Sequence, residues 1–215
     1  MKYAIFGVFV LSGISALLYQ TIWQRALLTL YGSNVESVAM VVTAFMVGLG
    51  IGSLGGGWIS RRSDWPLVLL FAVAELGIGA YGLASLRLFH WVGDATIGVG
   101  TLATGALAFG LIFLPTLLMG ATLPLLLAHQ VNTTRAVGAS VSWLYFVNTL
   151  GAALGAWLAA YLVLGRTGQS GAVHLAATLN FVVAVAILGA WFLADRKTGA
   201  PPRAPEPVDS FRPSH

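Results

Sequence analysis

The 215-residue chain has no cysteine and few charged residues, and each shortage excludes a class of protein. Without cysteine there is no disulfide, no thiolate metal ligand and no cysteine nucleophile. Asp, Glu, Lys and Arg make up only 8% of the residues, whereas 58% are hydrophobic. Because a soluble domain needs about 25% charged residues, this composition excludes a sizeable soluble domain and predicts an integral membrane protein.

The sequence also lacks the patterns of a metal site and of a nucleic-acid-binding protein. His90, His129 and His174 lie far apart, without a His-x-x-x-His pair, so no metal or other cofactor is expected. The net charge of +4 comes mostly from basic residues at the ends of apolar segments and near the C-terminus. Membrane topology accounts for that placement, and no nucleic-acid partner is expected.

Apolar segments recur along the chain and predict an all-α integral membrane protein with six transmembrane helices. The predicted helices are residues 4–23, 37–59, 67–87, 100–128, 137–163 and 170–193. The fourth is too long for a straight upright span, and Pro115 and Pro124 predict a kink in it. The helices form one domain, residues 1–195, and the proline-rich residues 196–215 predict a disordered tail.

The distribution of lysine and arginine predicts the orientation of the chain in the membrane. With the N-terminus inside, the inner segments hold eight basic residues: Lys2, Arg61, Arg62, Arg135, Arg196, Lys197, Arg203 and Arg212. The outer loops hold three: Arg25, Arg87 and Arg166. The positive-inside rule therefore predicts that both termini are cytoplasmic, with the C-terminal tail supplying much of the difference.

Glycines at four-residue spacing predict two helix-packing faces. Gly48, Gly52 and Gly56 lie on one face of the second predicted helix, and Gly151 and Gly155 lie on one face of the fifth. Small residues at this spacing let the backbones of two membrane helices approach closely. These faces suit contacts within one bundle or between two copies of the chain.

Glu75 is an acidic residue inside the third predicted helix, with no lysine or arginine nearby in the sequence. Burying a charged carboxylate at this depth costs about 2.5–3.5 kcal/mol, so we expect Glu75 to face the interior of the bundle. Four other polar residues are predicted at a similar depth: Thr116, Tyr145, Asn148 and Asn180. Together with Glu75 they are the candidates for a substrate or proton site lining a polar central cavity.

Two states of Glu75 are open at this point. The carboxyl is either protonated and hydrogen-bonded to Tyr145, Asn148 or Asn180, or ionised beside water or a cationic ligand. The first state suits a structural cross-link between helices. The second suits a functional site, which is the default hypothesis for an intramembrane acid.

Three smaller groups of residues complete the candidates. Gln20, Gln24 and Arg25 form a polar cluster at the outer end of the first predicted helix. Arg61, Arg62 and Asp64 lie between the second and third helices, as a gating loop or simply as a positively charged inner loop. A final group, the aromatic residues near span ends, is predicted to anchor the interface with the lipid headgroups: Tyr19, Trp23 and Trp91.

Five ordered blocks carry a resemblance to a known family. They are "LSGISALLYQTIWQR" (11–25), "AFMVGLGIGSLGGGWISRRSD" (44–64), "AELGIGAYGL" (74–83), "LPTLLMGATLPLL" (114–126) and "YFVNTLGAALGA" (145–156). Residues 5–194 resemble the membrane domain of bacterial fused spermidine-synthase-like proteins, which is related to half of a major facilitator transporter. The resemblance implies a facilitator-like half bundle in the bacterial inner (plasma) membrane.

The chain departs from that family where the enzyme domain is expected. The Gly-Gly-Gly-Asp-Gly signature of the aminopropyltransferase is absent, because Gly55 to Gly57 are followed by Trp58 within a predicted span. We therefore expect no enzymatic activity.

The residues and the resemblance together leave two hypotheses of function. In the first, the chain is a half-transporter for a small cationic, polyamine-like metabolite, paired with a second copy or a heteromeric partner in the lipid bilayer. In the second, it is a non-transporting subunit that anchors a separate cytoplasmic enzyme or a membrane complex. An intramembrane enzyme is disfavoured, because one isolated glutamate does not supply a nucleophile, a base and an oxyanion donor together.

Overall fold

A computed structural model describes residues 2–31, 35–62, 64–98, 100–134 and 137–198 of the chain. Its helices are α1 (Lys2–Tyr31), α2 (Val35–Arg62), α3 (Leu67–Ala95), α4 (Thr101–Thr134), α5 (Val137–Leu158) and α6 (Leu164–Thr198). A π-helical turn, Ala159–Val163, joins α5 to α6. Within these ranges there is no strand, which confirms the predicted all-α class.

Five segments of the described chain are long and apolar enough to cross a membrane. The last of them, Val137–Leu193, contains α5 and most of α6 and is 57 residues long. These segments confirm the prediction of a multi-pass membrane protein. The helix α6 continues to Thr198, so the first residues assigned to the disordered tail are helical, and residues 199–215 lie outside the described ranges.

The chain reverses direction inside the range of α6, near its start. Asn148 of α5 lies against Gly13 of α1, and Asn180 of α6 contacts Glu75, which in turn contacts Ser12 of α1. A straight helix from residue 148 to residue 180 would be about 48 Å long, so α5 and α6 reach the same level only if the chain folds back. The break is at Gly168, whose φ of 66° favours glycine.

Glycines bring two pairs of helices into backbone contact. A methyl group at Gly151 would overlap the carbonyl of Val10, and one at Gly155 would overlap the carbonyl of Ile14. In α2, a methyl group at any of three glycines would overlap α4: Gly48 would meet Thr116, Gly52 would meet Leu117 and Gly56 would meet Ala121. The structure thus places all five predicted packing glycines at close contacts within one chain.

The proline in the middle of α4 has a partner in α3. Pro115 has no N–H group, so the carbonyl of Leu111, one turn earlier, loses its usual helical donor. The hydroxyl of Tyr81 donates a hydrogen bond to that carbonyl. A proline inside a membrane helix is tolerated when a neighbouring group satisfies the freed backbone atom in this way.

The helix α1 lies inside the bundle and contacts α2, α3, α5 and α6. Tyr19 and Trp23 are both 0% exposed, so the prediction that they anchor the lipid interface is wrong. That prediction assumed that the first helix ends near residue 23, whereas α1 continues to Tyr31, about 12 Å further at 1.5 Å per residue. Trp91 is exposed, which is compatible with the predicted role as an interface anchor.

Candidate functional site

Glu75 joins three helices in the interior of the bundle. The hydroxyl of Ser12 on α1 donates to Oε1 at 2.6 Å, and Nδ2 of Asn180 on α6 donates to Oε2 at 2.6 Å. Glu75 is 0% exposed, so no water-sized space touches it in this conformation. Each carboxyl oxygen therefore holds a protein donor from a different helix.

The parallel register of α1 and α3 brings Ser12 to Glu75. Further along the same contact, the indole Nε1 of Trp23 donates to Oγ of Ser85 at 2.9 Å. The residues of each pair are separated by nearly the same number of positions, 63 for the first and 62 for the second, which is the signature of two parallel helices in constant register. A residue with a Cβ at the intervening Gly82 would overlap the phenol of Tyr19.

The α1–α3 contact is apolar on both sides of Glu75. Toward the C-terminal ends of both helices lie Tyr19, Trp23 and the buried apolar residues Leu18, Ile22 and Phe89, and the Trp23 indole and Ser85 hydroxyl there are already hydrogen-bonded. Toward the N-terminal ends lie the buried side chains of Ile5, Phe9, Val68 and Phe71. The rings of Phe9 and Phe71 meet edge to face with centroids 6.3 Å apart.

Two buried polar atoms in the helices that meet at Glu75 have no hydrogen-bond partner within the described part of the chain. They are the hydroxyl oxygen of Tyr19 and Oδ1 of Asn180. Since leaving a buried polar group unpaired costs about 1–3 kcal/mol, these two atoms are an unusual feature of the site.

The cluster accommodates either protonation state of Glu75. An ionised carboxylate accepts from Ser12 and Asn180, as the distances show. A protonated carboxyl would donate to Ser12 Oγ, since a hydroxyl both donates and accepts, or to Asn180 Oδ1 after the amide turns over. Hydrogen bonds from Ser12 and Asn180 can therefore accompany either protonation state.

Among the polar residues predicted at the same depth as Glu75, only Asn180 is brought to it. Tyr145 is 62% exposed on the outer face of α5, and Asn148 is half-buried against Gly13. The hydroxyl of Thr116 lies 2.8 Å from the carbonyl oxygen of Phe113 and 3.0 Å from that of Ile112, in its own helix. Depth alone does not determine which way a helical residue points. The residues predicted at the depth of Glu75 therefore do not all point toward it.

The expected central cavity is replaced at Glu75 by direct contacts between side chains. The carboxyl lies inside the bundle, as expected, and does not face lipid. Its partner Ser12 was missed, because a serine in an apolar helix is common. The signal that could have found it is the spacing of Ser12, Ser15 and Tyr19, which share one face of a helix.

The remaining candidates lie away from Glu75. Gln20 and Gln24 are half-buried and Arg25 is exposed, and α1 continues for six residues beyond them, so they are not at a helix end. Arg61 and Arg62 are exposed in the last turn of α2, where positive charge is favourable. The exposed loop residue Asp64 follows, and the guanidinium of Arg62 lies 4.9 Å from the ring centroid of Trp58 in its own helix.

Comparison with known proteins gives no relative: no protein-family model, no curated protein and no solved structure matches the chain. The resemblance to the membrane domain of spermidine-synthase-like proteins therefore stays a prediction. The function has to be argued from the geometry around Glu75.

Proposed function

We propose that the chain is a half-transporter with six membrane crossings that pairs with a second copy and moves a small cationic metabolite. The observation that carries this proposal is the carboxyl of Glu75, fully buried between α1, α3 and α6. An acidic residue inside the membrane is expensive and is by default a functional group. Carriers of this general kind bind substrates and coupling ions near the middle of the membrane, between related halves.

The burial of Glu75 favours a role in the transport cycle over permanent contact with the substrate. An amine of a polyamine has no path to the carboxyl while both oxygens are hydrogen-bonded and Glu75 is 0% exposed. A proton needs no such space. Glu75 is thus proposed as the ionisable group whose change of charge accompanies transport, in a facilitator-like half bundle with cytoplasmic termini in a bacterial inner membrane.

The outer faces of α2 and α5 are available to a second copy. Besides the glycines that face α4, the helix α2 carries Gly50, Gly55 and Gly57. A methyl group at any of these three would meet nothing within 4 Å. Large exposed side chains flank them on the same helix, among them Met46 and Leu54. These faces suit either lipid or a second half bundle that would enclose a pathway.

One observation favours the alternative function, a non-transporting subunit that anchors a separate enzyme or complex. Both oxygens of Glu75 already hold protein donors, so the carboxyl is complete as a cross-link between helices. In that case Glu75 holds the fold together, and partners bind through the outer faces of the bundle. The two functions differ in what they predict for a glutamine at position 75.

The test is uptake of radiolabelled putrescine and spermidine into proteoliposomes, with and without a pH gradient, for the wild type and Glu75→Gln. Glutamine keeps the shape and can accept from Ser12, and Oδ1 of Asn180, which lacks a partner, can accept from the new amide once the Asn180 side chain turns over. We expect the variant to fold and its uptake to be abolished. Asp94→Asn, which makes the same acid-to-amide change at an exposed position near the end of α3, is the matched control and should transport normally. Absence of uptake by the wild type, or normal uptake by Glu75→Gln, would favour the anchoring function.

A further inference from the structure

The surface of α5 that does not pack against the bundle divides into two faces. One face carries bulky apolar side chains, which suit contact with lipid: Trp143, Phe146, Leu150, Leu154 and Trp157. The other, here called the polar face, carries a hydroxyl or an amide at four positions: Ser142, Tyr145, Asn148 and Thr149. At 3.6 residues per turn these four lie within about 120° of one another around the helix. The same 120° contains only small side chains at three further positions: Gly138, Ala152 and Ala156.

The polar face lies at the level of Glu75 in the bundle. A methyl group at Gly13 of α1 would meet the backbone and side-chain oxygens of Asn148. The residue before Gly13 is Ser12, which donates a hydrogen bond to Glu75. The helix α1 thus touches the carboxyl with one residue and the polar face with the next. Carriers bind their substrates at this depth, near the middle of the membrane.

Lipid would leave the hydroxyls of the polar face without partners. Ser142, Tyr145 and Thr149 are exposed, and their hydroxyls make no hydrogen bond within the described part of the chain. On other exposed faces, Thr43 and Thr178 donate to a carbonyl of their own helix, at 2.7 and 2.8 Å. A hydroxyl in hydrocarbon takes a backbone partner in this way, because an unpaired polar group is costly there. The polar face therefore offers its groups to a partner that can hydrogen-bond with them.

We propose that the polar face binds the amine groups of the cationic substrate and forms one wall of its pathway. The side-chain oxygens of Tyr145, Asn148 and Thr149 accept hydrogen bonds from an ammonium group. The ring of Tyr145, which is 62% exposed, packs against the positive charge. The inference rests on the proposed function and places substrate binding apart from the buried Glu75, with α1 between the two sites.

The test uses the absence of cysteine, because one introduced thiol is then the only thiol in the chain. Thr149→Cys is reconstituted in proteoliposomes and treated with a cationic, membrane-impermeant methanethiosulfonate, which reacts with the thiolate that forms in water. Leu150→Cys, one residue further on the bulky face, is the matched control. We expect Thr149→Cys to react about tenfold faster than Leu150→Cys, and saturating putrescine to abolish the difference.

A second substitution tests the contact of Tyr145 with the substrate. In the Thr149→Cys protein, Tyr145→Leu should raise the putrescine concentration that gives half protection about tenfold, through the loss of the ring and the hydroxyl. Trp157→Leu makes a similar change on the bulky face and should leave that concentration unchanged.

Two results would overturn the proposal. Labelling of Thr149→Cys as slow as that of Leu150→Cys would mean that the polar face lies against lipid or protein, and fast labelling that putrescine does not slow would mean that it binds no substrate. Ser142→Cys, on the same face, gives a second position for the measurement. Labelling does not depend on transport, so protection by putrescine in a protein without uptake would contradict the proposed function and leave the binding site standing. Uptake that requires Glu75, without protection, would contradict the binding site alone.

Discussion

A valine in place of Gly52 is expected to separate α2 from α4 and to lower the free energy of unfolding by about 3 kcal/mol. The side chain would enter the space of the Leu117 carbonyl oxygen, which belongs to the backbone of α4 and cannot rotate aside. The neighbouring contacts at Gly48 and Gly56 would open with it, because all three lie on one face. Denaturant unfolding in detergent micelles, followed by circular dichroism, measures the change.

The matched control lies two residues away in the same helix. A methyl group at Gly50 would meet nothing within 4 Å, so Gly50→Val tests the same substitution without the clash. Its free energy of unfolding should stay within about 1 kcal/mol of the wild type, since valine forms helix slightly better than glycine does. Equal destabilisation by the two variants would contradict the close packing of α2 on α4.

Replacing Glu75 with alanine is expected to destabilise the protein by about 3–5 kcal/mol, through the loss of both hydrogen bonds and the formation of a cavity. The hydroxyl of Ser12 and the amide of Asn180 would remain buried without an acceptor. The packing of α1, α3 and α6 would lose its polar junction. The same denaturant unfolding in micelles gives the magnitude.

Glu75→Gln separates the loss of charge from the loss of contacts. It retains an acceptor for Ser12 and, once the Asn180 amide turns over, provides a donor for Oδ1 of Asn180, so we expect its stability within about 1 kcal/mol of the wild type. If alanine at position 75 were tolerated as well as glutamine, the junction described between the three helices would not exist in the membrane. If glutamine were as damaging as alanine, ionisation of Glu75 would be part of the fold.

The sequence predicted those features that depend on composition and spacing. Long apolar runs indicate membrane helices, and glycines four residues apart indicate close contacts, which the structure places at Gly52 and Gly151. Counting residues from the predicted helix ends placed Glu75 and Asn180 at a similar depth, and the two are in contact in the structure. Such features need only the rise and the period of an α-helix.

Features that depend on the direction of a side chain around its helix were not predictable in the same way. Tyr145 lies at the predicted depth and points outward, whereas Ser12, inconspicuous in an apolar helix, points at the carboxyl. Tyr19 and Trp23 were misplaced because the end of α1 was set too early, and the same error put Arg25 at a helix end. Apolar sequence offers little sign of where a membrane helix stops when the helix continues past the bilayer.

Whether a proton on Glu75 takes part in transport can be read from the internal pH of proteoliposomes that hold a pH-sensitive dye. Putrescine is added outside, and the pH inside is followed for the wild type and for Glu75→Gln. Proton-coupled transport through Glu75 predicts a pH change in wild-type vesicles as putrescine enters, and none in Glu75→Gln vesicles that carry the same amount of folded protein. Putrescine uptake by the wild type without movement of protons, or an equal pH change in both, would contradict the proposed role of Glu75.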